Sequence, residues 1–258
     1  MTKDNIKVYE KFDWKSFTSA DISDKIQLIF DLIPDDVKSI LDVGCGNGAI
    51  TNILAENYDI TGVDRSQEAL KFVKTTKIQA SADAIPLPDK QFDLVFSSEL
   101  LEHLEAETLK KTVEEIRRLT KKYLLISVPN DENPDKLSIR CPKCNFDYNR
   151  PNHINNFDEH KLAALFPDFK LIKTIKTGKK VRYYAPSILK LKKRFTPPTS
   201  WIPYYWIAKD KRKTVCPSCE YEFEYSYKFH PLASILDLTN AIVSPKKPYW
   251  LIVLLQKE

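Results

Sequence analysis

Leu41-Asp42-Val43-Gly44-Cys45-Gly46-Asn47-Gly48 holds three of the chain's five glycines. An apolar strand, Ser39 to Val43, runs straight into this cluster, and a helical stretch over Asn47 to Asn57 follows it. Glycines at alternating positions let the backbone turn tightly and leave room for a ligand against the main chain. The next helix start offers unpaired N–H groups and a partial positive charge, so the turn suits a nucleotide-like ligand with an anionic group. Five glycines in 258 residues is scarce, against a typical usage of about 7%, so each should mark a place where another residue fails.

Around this turn the pattern is a regular alternation. Ile22, Ile26, Ile29 and Ile33 recur at helical spacing, so 21–33 reads as a helix stopped by Pro34. After the turn come a strand at Asp59 to Val63 ending in Asp64, a helix at Gln67 to Thr75, and a weaker strand at Lys77 to Ser81. Phe92 to Phe96 is a fourth strand, Leu109, Val113, Ile116 and Leu119 mark a helix face, and Tyr123 to Val128 is a fifth strand stopped by Pro129. This rhythm predicts an α/β doubly wound parallel sheet covered on both faces. Further on, Asp158 to Phe166 reads as a helix, Phe169 to Thr177 as a half-buried strand, Pro231 to Val243 as a helix and Tyr249 to Leu255 as a terminal strand. A shorter helix fits 181–194, while Pro197, Pro198 and Pro203 argue against a long one through 197–205. No internal repeat stands out.

Two acids extend the signal of the turn. Asp64 ends the second strand about 20 residues after it, where a carboxylate can accept both hydroxyls of a ribose. Asp83, in Ser81-Ala82-Asp83-Ala84, follows the third strand and can accept from an adenine amino group. The G-x-G-x-G spacing departs from the G-x-G-x-x-G of nicotinamide dehydrogenases. LDVGCGNG, ITGVD, SADAIPLPDKQFDLV and SSELLEHL together resemble the successive motifs of class I S-adenosylmethionine-dependent methyltransferases, in the D-x-G-C-G-x-G subgroup, over about residues 35–130. The resemblance implies a seven-stranded Rossmann-like sheet whose last strand, 249–255, is antiparallel and whose sixth is 169–177. It also implies S-adenosylmethionine as cofactor. Asp42, Gly44, Cys45, Gly46, Asn47 and Gly48 would lie at its amino-acid end, with Cys45 a packing residue. Asp64 would hold the ribose, Arg65, Asp83 and Ala84 would meet the adenine, and Ser98 and Glu99 would border the sulfonium. His103 would sit near the substrate opening.

The cysteines make a second device. Cys141-Pro-Lys-Cys144 and Cys216-Pro-Ser-Cys219 are both C-P-x-C knuckles, and together they supply the four thiolates of a closed structural Zn²⁺ site. Two unrelated knuckles, or four free thiols, are the other readings. Both pairs lie in connections expected on the cofactor side of the sheet, so the zinc module should form a cap beside the methyl-transfer site. The resulting organisation is an N-terminal helical segment at 1–34, the core at 35–130, a first knuckle insertion at 131–157 and a helix and sixth strand at 158–177. A basic aromatic insertion with the second knuckle follows at 178–248, and the final strand at 249–258.

The segment after the first knuckle, Tyr148 to Phe157, carries His153 in an H-x-x-x-F pattern. It looks like a set of bacterial and archaeal methyltransferases associated with surface-sugar pathways. His153 reads equally as a general base or substrate contact and as a buried histidine ordering the loop; His103 and Glu99 are further candidates for a base. The N-P-P-Y/F tetrad of many base-amine methyltransferases is absent, and Ser97-Ser98-Glu99-Leu100 stands in its place.

The net charge of +5 is uneven: −5 over residues 1–130 and +10 over 131–258. Lys170 to Lys213 holds 14 basic residues and one acid, Asp210, interleaved with aromatics. Such a stretch suits RNA, a phosphorylated or lipid-linked substrate, an anionic membrane surface, or simply a solvated cationic face. No apolar run reaches transmembrane length, and the first residues lack a secretory pattern. The expectation is a cytoplasmic enzyme acting on a small-molecule, glycan or glycolipid acceptor. An RNA methyltransferase and a non-catalytic interaction protein of the same fold are the alternatives.

Overall fold

The computed structural model describes residues 5–258; Met1 to Asp4 and the side chain of Asp210 lie outside that description, and with them part of the N-terminal and basic-stretch readings. Nine helices are named α1 (Ile6–Glu10), α2 (Ser23–Leu32), α3 (Thr51–Leu54), α4 (Gln67–Leu70), α5 (Ala106–Leu119), α6 (Glu159–Ala164), α7 (Pro186–Phe195), α8 (Ile202–Tyr205) and α9 (Pro231–Val243). Strands β1 (Ser39–Val43), β2 (Asp59–Asp64), β3 (Thr76–Gln79), β4 (Phe92–Ser98) and β5 (Thr120–Pro129) join β8 (Phe169–Arg182) and β11 (Lys246–Lys257) in one sheet. Its order is β3-β2-β1-β4-β5-β11-β8, with β11 antiparallel to both neighbours.

The sheet is covered on both sides because its central strands are apolar along their length. Leu41, Val95, Leu124 and Val253 pack with Val113, Ile116 and Leu119 of α5 and Leu162 of α6. Ile40, Leu94, Leu125 and Ile252 pack with Ile26, Ile29 and Leu32 of α2 and Leu54 of α3. All seven expected strands and the reversed last strand are present. Three elements differ. The helices expected over 47–57 and 67–75 shrink to single turns, α3 and α4, because their ends close in i→i+3 bonds.

The third difference is at β8, which runs past the expected Thr177 to Arg182, so Gly178 lies inside it and the helix expected over 181–194 begins only at Pro186. The Gly178 φ is +85°, and a Cβ there would come within 2.4 Å of the Trp250 ring, beside a register shift between Pro248 and Trp250. A glycine inside a strand marks such a close approach as readily as an end.

The remainder forms a cap. Two short hairpins, β6 (Ser138–Arg140) with β7 (Asp147–Asn149) and β9 (Lys213–Val215) with β10 (Glu222–Glu224), surround the four cysteines. Trp201, Tyr204, Tyr148, Tyr184 and Tyr225 bury a small aromatic core beside them. Helix α9 is turned inside out. Asp237 and Asn240 face inward, whereas Leu232, Ile235, Leu238 and Ile242 are exposed. Asp237 is held by Lys192 and Tyr184 and accepts from the Ile202 N–H (2.7 Å). Lys192 is therefore a core residue, fully buried over Trp201, and does not belong to a solvated basic face. Among the described residues no helix is long and apolar enough to cross a membrane.

Candidate active site

The glycine turn is strained in the way its composition allows. Gly44, Gly46 and Gly48 have φ of +78°, +53° and +74°, and a Cβ at Gly44 would crowd Leu100 at 3.0 Å. The Gly46 N–H donates to Asp64 Oδ2 (2.9 Å) and the Ser66 N–H to Asp64 Oδ1 (2.8 Å). Each oxygen keeps a lone pair for a further donor, and burial raises the Asp64 carboxyl's proton affinity. Asp42 is buried behind the turn and accepts from the Thr51 hydroxyl (2.6 Å); burial pushes its carboxyl up to about 7. Cys45 packs with Leu70 and Val73, and burial pushes its thiol up, so it sits there as a packing residue. Asp83 is half-buried and Ala84 exposed, in a turn closed by the Ala84 N–H to Ser81 O (3.1 Å). Adjacent polar groups at three strand ends, with space kept by glycines, fit an adenosyl cofactor.

An N-terminal strap crosses the same edge. Asn47 Nδ2 donates to Trp14 O (2.7 Å) and Phe17 O (2.8 Å), and the Trp14 ring lies over Gly46. Glu10 accepts from the Gln67 and Glu68 N–H groups at the start of α4. At its other end Asn5 donates to Pro217 O (3.1 Å), and Lys7 and Lys11 pair with Glu220 and Glu222. The strap thus ties the second knuckle to the glycine turn.

At the end of β4 the chain gathers charge. Buried Lys25 of α2 donates to Ser98 Oγ and Glu99 Oε1 (both 2.9 Å). The next turn, Leu101–His103, is stapled to the first insertion: Ile154 and Asn155 N–H donate to Glu102 O (2.6 and 3.0 Å), and Asn155 Nδ2 to Leu101 O and Leu104 O. Asn149 clamps the backbone of His153 from both sides. His153 and His103 are thereby brought to a ring separation of 4.8 Å. His153 Nδ1 is bonded to Glu132, which also pairs with Lys136 (2.6 Å). Burial alone would raise the Glu132 carboxyl, but the bonds and charges of His153 and Lys136 hold it at about 2. His103 Nδ1 meets Asn152 O (3.2 Å), and burial with the neighbouring His153 holds its imidazole down to about 3, so it is neutral at physiological pH. Glu102 is 1% exposed, and neither of its carboxylate oxygens has a hydrogen-bond partner among the described residues. A cleft of about 410 Å³ opens beside His153, lined by Asp135, Ser138, Asp147, Asn149 and Lys193.

The four cysteines converge. Cys141 Sγ lies 3.7 Å from Cys219 Sγ, and Cys144 Sγ 3.6 Å from Cys216 Sγ. Spokes of about 2.3 Å in a tetrahedral Zn–thiolate site give edges of about 3.8 Å, whereas a disulfide needs about 2.05 Å. The knuckles share one backbone pattern: Cys141 N–H to Phe146 O with Asn145 N–H to Cys141 O, and Cys216 N–H to Tyr221 O with Glu220 N–H to Cys216 O. Asn145 and Glu220 both take positive φ. A local repeat is therefore present after all. Its trace is Cys-Pro-x-Cys-x-aromatic-acid-aromatic, in CPKCNFDY and CPSCEYEF.

Site reading from the sequence missed Lys25, Glu102, Glu132 and the strap residues Glu10 and Trp14. Lys25 alone left a signal, since it falls on the face of Ile22, Ile26 and Ile29.

A glycine turn after β1, an acid closing β2 and a seven-stranded sheet with one reversed strand define a class I S-adenosylmethionine-dependent methyltransferase. Residues 41–125 match the family model described as "Methyltransferase domain". An uncharacterized protein of Methanocaldococcus jannaschii is 31% identical over 179 residues, 67% of this chain and 70% of that protein. The chain belongs to the methyltransferase domain family. A probable tocopherol O-methyltransferase of Oryza sativa is 27% identical over 191 residues, 63% of this chain, which spans 52% of that relative's length. The crystal structure of a SAM-dependent methyltransferase from Archaeoglobus fulgidus has the same fold, with a TM-score of 0.58 at 18% identity over 93% of this chain and 95% of that one.

Proposed function

We propose that the protein methylates a hydroxyl of a glycan or glycolipid acceptor. The carrying observation is the 410 Å³ cleft that ends on His153, because its lining of carboxylates, amide, hydroxyl and ammonium matches a polyhydroxylated ligand. S-adenosylmethionine supplies an electrophilic methyl group. Asp42, Gly44, Cys45, Gly46, Asn47 and Gly48 would border its amino-acid end and Asp64 its ribose. Arg65, Asp83 and Ala84 would meet the adenine, and Ser98 and Glu99 would line the approach to the methyl group. The chain's own work is alignment and activation of the acceptor oxygen, and the Glu132–His153–His103 group, which the cleft reaches at His153, would supply that activation. Cys141, Cys144, Cys216 and Cys219 hold a structural Zn²⁺ that shapes the cleft from the cap side. The paired Sγ separations support it.

The reversed α9 supports a lipid-borne acceptor. Its exposed Leu232, Ile235, Leu238 and Ile242 follow exposed Phe229, and Lys228 and Lys246 bracket the helix, a combination complementary to an anionic lipid surface. RNA is the second reading, favoured by the exposed lysines of β8, Lys170, Lys173, Lys176, Lys179 and Lys180.

Labelled methyl transfer to separated glycolipid, sugar and RNA fractions tests the reading. Label in the glycan-bearing fractions is expected, and label in RNA overturns it. Sedimentation with phosphatidylglycerol vesicles should be lost in Ile235→Asp/Ile242→Asp. Self-association without vesicle binding would assign the α9 face to a second copy. Asp64→Ala should weaken cofactor binding by calorimetry by one to two orders of magnitude, about 1.5–3 kcal/mol for bonds to a charged group. Unchanged affinity would refute its placement at the ribose.

A further inference from the structure

We infer that Glu102, His103 and His153 form a binding site for a divalent transition-metal ion, separate from the cysteine cluster, that holds the acceptor hydroxyl. One ligand atom from each of the three lies within 4.8 Å of the others. Their arrangement has the features a metal site requires. Each imidazole has its Nδ1 committed, His153 to the Glu132 carboxylate and His103 to the Asn152 carbonyl. That leaves Nε2 of each ring as the free nitrogen. Metal-binding histidines are oriented by such outer partners, a carboxylate or a backbone carbonyl on the second nitrogen.

Glu102 supplies the independent observation. A carboxylate that is 1% exposed and bonded to nothing among the described residues is costly to bury. A histidine acting alone as a base would not require it. The main chain fixes it: Ile154 and Asn155 N–H grip the Glu102 carbonyl, so the loop bearing His153 and the turn bearing Glu102 and His103 form one unit. Two nitrogens and one carboxylate oxygen suit Mn²⁺, Fe²⁺, Co²⁺ or Zn²⁺ better than Mg²⁺. Three protein ligands leave coordination positions open, the arrangement of a catalytic and not a structural site.

This inference rests on the reading of the acceptor as a hydroxyl. A hydroxyl bound to the ion loses its proton more readily, as a bound water does. The proton leaves to solvent, the oxygen takes the methyl group, and the new carbon–oxygen bond replaces the carbon–sulfur bond. The products are a methyl ether and S-adenosylhomocysteine.

Cobalt substitution of the purified full chain separates the two sites. Four thiolates give intense charge-transfer absorption, whereas a nitrogen–oxygen site gives only weak visible bands. Both should be seen in the wild type. The weak bands, together with the paramagnetic signature of added Mn²⁺, should be lost in His153→Ala and Glu102→Gln while the thiolate absorption persists. Should Glu102→Gln fail to fold by thermal unfolding, His103→Asn carries the same test. Only thiolate absorption in the wild type, or equal Mn²⁺ binding by the variants, overturns the site. Full hydroxyl methylation by metal-stripped protein overturns the ion's role while leaving the proposed function intact. Metal binding by a protein that methylates RNA alone leaves the site and removes the function.

Discussion

In the sheet, Leu41, Leu94, Leu124 and Leu251 are fully buried along strands that pair with neighbours on both sides. In the cap, each hairpin strand is three residues long, and burial is concentrated in Trp201, Tyr204 and the two cysteines Cys141 and Cys216. Two-stranded hairpins are marginal on their own. The sheet is held by apolar area spread over many residues, whereas the cap depends on a few specific ties: four thiols, one buried ion pair and the strap. Loss of one sheet contact is shared among neighbours, but loss of one cap tie is not.

The largest effect should come from the thiols. Chelation of the proposed zinc, or Cys216→Ser, should open residues 131–157 and 178–248 to limited proteolysis while the core resists; uniform resistance would mean the cap folds without metal. Next is the pair at the root of α9. Asp237→Ala leaves buried Lys192 uncompensated and should cost about 3–5 kcal/mol in denaturant unfolding, with Lys192→Met/Asp237→Leu recovering most of it. If the double variant is no better than the single, the charge pair is not what the cap depends on.

The sheet has its own polar exception in Asp42. Its carboxyl is at about 7 in the fold and 3.8 ordinarily, so the folded chain binds the proton more tightly. The associated stability is complete below about pH 4 and is lost as pH rises through 7. In the cofactor-free protein, stability should therefore fall by a few kcal/mol across that window relative to Asp42→Asn. Parallel pH curves would show that Asp42 is ionised throughout. The smallest effect belongs to the strap's surface pair. Lys7→Ala removes an exposed contact with Glu220 and should leave the unfolding midpoint unchanged within error. A clear loss would mean that the strap's hold on the cap runs through this surface pair.

The same contrast separates what was legible in the sequence from what was not. β1, the glycine turn and Asp64 are read directly because strand periodicity and turn chemistry are local. The C-P-x-C pairs are legible for the same reason, each carrying its own knuckle. Glu102 and Glu132 are not, since their role exists only once His153 folds back, from about 50 positions after Glu102 and 21 after Glu132. Lys192 reads as one more base in a basic stretch, because its partner Asp237 lies 45 positions away. Helix α9 is placed correctly, but its apolar periodicity implies burial, and the polar bonds of Asp237 and Asn240 turn it outward.

The strap has a consequence in time. Asn5 waits for Pro217, 212 positions later, before it can dock. On the ribosome, β1 to β5 and the glycine turn emerge well before the second knuckle does. The strap's far end is therefore tied down after the part that crosses the cofactor edge, and a chain stalled or cleaved between Arg182 and Lys213 would carry a strap held at the glycine turn by Asn47 and at α4 by Glu10, with nothing to anchor Asn5, Lys7 and Lys11.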